Sequence, residues 1–208
     1  MTAQLYDATL ALDATPTATN FYLDSSDVGG VFFSSASQRR LALRAHLERV
    51  TDGDLLLLGE AAGWRGARQS GVAFTSAHQV GLRGTREPTA TVVHESLSAL
   101  GLSERALLWN TFPLHPHKVD EPRTNRTPVA AEVQSTQSLI SVAARGRRVV
   151  CVGQVAAKAF ARATGLRVPD VDTARADAAA VVVRHPSYGG ATEFRAGMVT
   201  AASLWSLV

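Results

Sequence analysis

The sequence predicts an α/β domain, a three-layer α/β/α sandwich around a four-stranded parallel sheet. Two observations carry this. Four short unbroken apolar runs, at 55–58, 106–109, 149–152 and 179–183, have the length and continuity of strands buried on both faces. Helix-like segments separate them, at 91–100, 129–144 and 155–164, and a last one follows at 191–207. Strands that alternate with helices favour a parallel sheet covered on both sides.

Taken in order, the first thirty residues are poorly patterned, and "LDSSDVGG" at 23–30 reads as a loop. From 35 to about 50, Leu41, Leu43, Ala45, Leu47 and Val50 recur at helical spacing with arginines between them. Thr127-Pro128 is a good helix start, with Thr as cap and Pro in the first turn. Residues 169–177 read as a polar loop before the fourth strand. The 208 residues suit one domain, in which 1–34 form a weakly patterned N-terminal segment.

Composition excludes several classes. Hydrophobic residues make up 46% and charged residues 19%, a globular balance with a formal net charge of only +3. The basic residues are not spread evenly. Arg65, Arg68, Arg83, Arg86, Lys118, Arg123 and Arg126 stand in two Gly- and Pro-rich stretches, as a phosphate-contacting face or as solvated surface charge. A single cysteine, Cys151, excludes an internal disulfide and a thiolate metal site, and reads as a small core residue. No apolar run approaches the ~20 residues that cross a bilayer, and no secretory signal is visible. A soluble, cytoplasmic monomer that does not engage membranes is the expectation.

In an open parallel sheet, ligands bind beyond the carboxyl ends of the strands. Gly59 and Glu60 follow the first run, Asn110 the second, Gly153 and Gln154 the third, and "RHPSYGG" with His185 the fourth. A carboxylate, a carboxamide and an imidazole are thus expected on one edge, with glycines that let a ligand approach the backbone. Taken singly, Glu60 could cap a turn, Asn110 could brace a loop and His185 could be an ordinary turn residue.

Sharper motifs are missing. Gly59, Gly63 and Gly66 lack dinucleotide spacing, and no phosphate loop or serine-hydrolase elbow occurs. His46-Leu47-Glu48 matches one half of a zinc-deaminase motif, whose cysteine pair is impossible here. His115 and His117, in "HPHK", could bind a metal only with a third ligand from elsewhere. Loop structure or phosphate contact is the alternative. No metal and no cofactor are expected.

"GEAAGWRGARQSGVAFTS" and "HPSYGG", with an asparagine after the second strand, resemble in order the signatures of the uracil-DNA glycosylase superfamily. The resemblance covers about 55–195. It implies hydrolysis of the bond between deoxyribose and a flipped uracil in single- or double-stranded DNA, the first step of base excision repair. It implies that Phe74 stacks on the base, Asn110 reads its edge and His185 stabilises charge at O2. Glu60 would position water or support the sugar cation, and Gly59 and Gly63 would line the substrate site. Ser187 and Tyr188 would lie at the minor groove, and Arg65, Arg68, Lys118, Arg123 and Arg126 would hold phosphates.

The match has departures. Ala61 stands where many members carry Asp or Asn. The acid lies one residue earlier, as in the G-E-x-P-G branch, whose iron–sulfur cluster needs four cysteines. The resemblance is therefore to a cluster-free relative of that branch. Ala62 replaces a proline, Gly63 stands where some members exclude thymine with a tyrosine, and Tyr188 follows H-P-S in place of a proline or aliphatic residue. Two other readings remain open: a non-catalytic nucleic-acid-binding module, and a hydrolase of free nucleosides.

Overall fold

A run of leucine and valine has no polar face to offer water, so each of the four apolar runs needs cover on both sides. The computed structural model, which describes residues 2–27 and 33–208, provides it. In chain order the elements are α1 (Thr2–Leu10), β1 (Ala18–Thr19), α2 (Ala36–Arg49), β2 (Leu55–Ala61), α3 (Ala67–Ser70), α4 (Pro88–Ala99), β3 (Ala106–Phe112) and β4 (His115–Pro116). They continue with α5 (Ala130–Ser135), α6 (Gln137–Ala144), β5 (Arg148–Val152), α7 (Gln154–Thr164), β6 (Ala180–Val183) and α8 (Ala191–Leu204). The four expected strands are β2, β3, β5 and β6. They form one parallel sheet in the order β3-β2-β5-β6.

Strand alternation sorts the core into two layers. Leu56, Leu58, Leu107, Trp109, Val149 and Cys151 face a cluster completed by α2, α6 and α7. Leu55, Leu57, Val150, Val152, Val181 and Val183 face the other side, against α4 and α8. Burial pushes the Cys151 thiol pKa up, as suits a core residue. Among the described residues, no helix is long and apolar enough to cross a membrane.

Three local expectations change. The N-terminal segment is more ordered than its pattern suggests. It carries α1, whose Leu5 joins the first core layer, and β1, which pairs with β4. Within "LDSSDVGG", Asp24–Asp27 is a 3-10 turn, and positions 28–30 lie outside the described residues. The helix expected at 129–144 is two, broken at Thr136, whose hydroxyl donates to the Thr111 carbonyl at 2.6 Å. Its start also shifts. Val129, not Thr127, is the cap residue, and its N–H is met by the Glu132 carboxylate at 2.8 Å.

Candidate active site

The sheet register sets Gly59 of β2 beside Asn110 of β3, at the carboxyl edge. Over Gly59 two groups meet. A Cβ at position 59 would stand 2.5 Å from Phe74 Cζ and 2.6 Å from Asn110 Oδ1. Only glycine leaves room for both. Phe74 is 8% exposed and Asn110 6%. The Asn110 carboxamide has no hydrogen-bond partner among the described residues. Its amide atoms are not among the buried polar groups left without a partner, so they keep access to open space and are available to a ligand.

The loop that carries Phe74 is held at several points. Gly71 has φ +79°, and a Cβ there would run into the Arg39 backbone. Tyr22 Oη donates to the Gly71 carbonyl at 2.7 Å, and Ser70 Oγ donates to the Thr75 carbonyl at 2.7 Å. Phe74 itself has φ +52°, a left-handed conformation unusual for an aromatic residue. Backbone strain of this kind persists where the surroundings over-determine it. The sequence signals only the Ser70-Gly71 turn; the buried Arg39 anchor has no signature.

His185 follows β6 after Arg184. Its Nδ1 accepts from the Ser187 backbone N–H at 3.1 Å and lies 2.7 Å from Ser187 Oγ. A backbone N–H can only donate, so Nδ1 is the acceptor and the ring proton sits on Nε2. Burial, with Arg184 adding to it, lowers the His185 pKa. The neutral ring thus presents an Nε2–H donor at neutral pH. Next in the chain, Tyr188 is 96% exposed with φ +50°, held out from the surface.

Glu60 reaches the same edge by another route. Alternation turns Gly59 to the Phe74 side of the sheet and Glu60 to the opposite side. Its carboxylate is partly buried and unpartnered among the described residues, and its backbone carbonyl accepts from Thr111 Oγ1 at 2.6 Å. Gly59, Phe74 and Asn110 are therefore in direct contact. His185 lies beside Gly153, where an added Cβ would be 3.5 Å from that of His185. Glu60 stands next to this group rather than within it. At Gly63 a Cβ would lie 3.4 Å from Glu87 Oε1, and Glu87 also fills the space over Gly66. Sequence reading did not single out Glu87. Burial raises its pKa.

A profile of the Uracil DNA glycosylase superfamily matches residues 48–202. The chain belongs to this superfamily. Among solved structures, the wild-type SMUG2 of Pedobacter heparinus is similar in fold, with a TM-score of 0.62 and 14% identity, covering 99% of this chain and 97% of that one. A search of curated protein sequences gives no match.

Against the phosphate-binding expectation for this superfamily member, the basic residues divide. Arg65, Lys118 and Arg123 are exposed, Arg65 stacking over Trp64 at 4.9 Å. Arg68 is not a surface residue. It is 1% exposed and donates to the Pro122 carbonyl, and burial lowers its pKa to about 10. Arg126 is a staple: it pairs with Glu132 at 2.5 Å and donates to the carbonyls of Thr17 and His117. Both were expected to hold phosphates, and both instead hold loops together.

The two histidines of "HPHK" are loop structure as well. His115 Nδ1 donates to the Ala62 carbonyl at 2.7 Å, which ties the first signature to the loop after β3. His117 Nδ1 donates to the Lys118 carbonyl at 2.8 Å, and its Nε2 accepts from Thr19 Oγ1 at 2.9 Å.

Proposed function

We propose that the protein is a monofunctional DNA glycosylase that removes uracil from DNA without a metal and so initiates base excision repair. The observation that carries this reading is the meeting of the Phe74 ring and the free Asn110 carboxamide over Gly59. A flat face and one donor–acceptor pair suit a planar base with a carbonyl beside an N–H. Such a base must first leave the duplex stack.

In this reading the C1′–N1 bond breaks and its electron pair leaves with the pyrimidine. The His185 Nε2–H donates to O2, where negative charge develops. Water forms the new bond to C1′ and gives up a proton, and the Glu60 carboxylate supports the sugar cation or takes that proton. The proton balance closes when the departing uracil anion is protonated. Tyr188 enters the minor groove as the base turns out, with Ser187 at the same turn. Arg65, Lys118 and Arg123 hold phosphates and make binding salt-dependent.

The test incubates the protein, in chelator, with single- and double-stranded oligonucleotides that carry uracil, hypoxanthine or a thymine mismatch. Alkali-labile abasic sites at uracil are expected. Asn110→Ala and His185→Ala are each expected to slow release by about 10²-fold or more. No abasic sites on any substrate would end the proposal.

A second reading has specific support. Ala61 supplies no carboxylate, and Glu60 faces away from the Phe74 side. A module that binds DNA without cleaving it would show salt-sensitive binding and no base release in the same assay.

A further inference from the structure

β3 is an edge strand, so its outward N–H groups need cover. His46, buried on α2, supplies it: Leu108 N–H donates to His46 Nε2 at 3.1 Å. That bond fixes the ring. Leu108 N–H can only donate, so the single proton of the neutral imidazole sits on Nδ1. His46 Nδ1 lies 3.1 Å from Arg49 Nη2, another group that can only donate. Protonating the ring adds no acceptor, and burial, reinforced by Arg49, holds the His46 pKa to about 3.

His46 and Arg49, which carry these two donors, both line a cavity of about 710 Å³. Its walls include Leu41, Ala45, Val72, Val80 and Leu82. Of the other polar groups on it, His94, Thr75 and Glu104 are already engaged. His94 Nε2 is 3.0 Å from Thr75 Oγ1, whose hydroxyl hydrogen goes to the Ala73 carbonyl. Glu104 accepts from Arg49 Nη1 at 2.9 Å and leaves Nη2 free of it. That ion pair is mostly exposed and holds weakly.

We propose that this cavity is a binding site for a small organic acid, whose carboxylate accepts from His46 Nδ1–H and Arg49 while its apolar body lies along Leu41, Val80 and Leu82. An anion is what two converging donors lack, one of them a guanidinium. A body of aliphatic character is what the walls would remove from water. The site is distinct from the base pocket and does not depend on the glycosylase reading. Val72 and Thr75, on either side of Phe74 in sequence, are the nearest link between the two.

The test titrates the full chain with octanoate by calorimetry, and follows the His46 ring nitrogens by NMR. Saturable binding with a shift at His46 Nδ1 is expected. Arg49→Gln should weaken it about tenfold or more, as loss of a charge-assisted hydrogen bond implies. Leu41→Asp, at an exposed position on the wall, should weaken it too. Octanol, with the body but no anion, and inorganic phosphate, with an anion but no body, should each bind at least about tenfold more weakly, since each forfeits more than about 1.4 kcal/mol. No saturation below about 10 mM octanoate, where affinity is weaker than about 3 kcal/mol, overturns the site. Equal binding of octanol, equal binding of phosphate, or unchanged affinity in Arg49→Gln overturns it as well. Both variants should keep the wild-type melting temperature within a few degrees, which separates lost binding from lost folding.

Discussion

At position 59 a single hydrogen atom is what leaves room for Phe74 and Asn110 to meet. A methyl group there would need room already taken by Phe74 and Asn110, both buried. Gly59→Ala should therefore displace the ring or the amide. Uracil release is expected to fall by about 10²-fold, with a stability cost of about 1–3 kcal/mol from overpacking; single-turnover assays and urea melts measure the two. His185 makes a different kind of claim. Burial, with Arg184 second, lowers its pKa, so the neutral donor form extends below the ordinary histidine range. The rate of base release should show no break near the unperturbed value of about 6.5 and should decline only at lower pH. Arg184→Gln removes the nearby positive charge and should move that decline to higher pH. A profile that breaks near 6.5 in the wild type would show that the ring is not held neutral.

At the scale of elements, the sheet was legible because its signal is local. Each strand is a continuous apolar run, and continuity needs no partner to be recognised. Gly59, Asn110 and His185 were placed on the same ground, since the first two follow such a run directly and His185 stands two residues after one. What the sequence does not carry is the direction of a side chain within an irregular loop. Arg68 and Arg126 have the spacing of surface cations, yet one is buried against Pro122 and the other is locked to Glu132. Glu60 adjoins the pocket residues in the chain, but one step along a strand reverses its face. The weakly patterned N-terminal segment shows the same limit: its contribution to the first core layer comes from contacts with distant residues. The loop carrying Phe74 gives this argument a test. Gly71 combines φ +79° with close approach to the Arg39 backbone, whose Cα would lie 2.8 Å from an added Cβ. Gly71→Ala should cost about 1–3 kcal/mol by backbone strain alone. It should also increase hydrogen exchange from 70 to 75 more than in the sheet; uniform exchange across the two would place the effect elsewhere.

For the whole molecule, stability against pH follows from charges held in the wrong medium. Burial is the main cause lowering His46 to about 3 and His115 to about 4. Their unfolded values lie near 6.5. The unfolded chain therefore binds more protons than the folded one as pH drops below that value. The contribution of both histidines is complete above about 6.5 and is lost on acidification, at roughly 1.4 kcal/mol per pH unit for each, until the folded values are reached. Glu87 has the opposite sign. Burial raises its pKa, so its contribution is present below the unfolded carboxyl value, near 4.5, and is lost as pH rises through the folded value. With His94 and His185, whose pKa values burial also lowers, four histidines oppose one glutamate in the window from about 4.5 to 6.5, so the net slope is toward acid lability. Below that window Asp54 and Glu132, whose carboxyl pKa values are lowered, add to it. Urea midpoints measured from pH 4 to pH 8 should rise toward neutrality. In Glu87→Gln the midpoint should increase at pH 8, where an unpaired carboxylate no longer has to be kept charged over Gly63 and Gly66, and should match the wild type at pH 4. A gain of equal size at both ends would mean that the carboxylate charge is not what costs stability at that place.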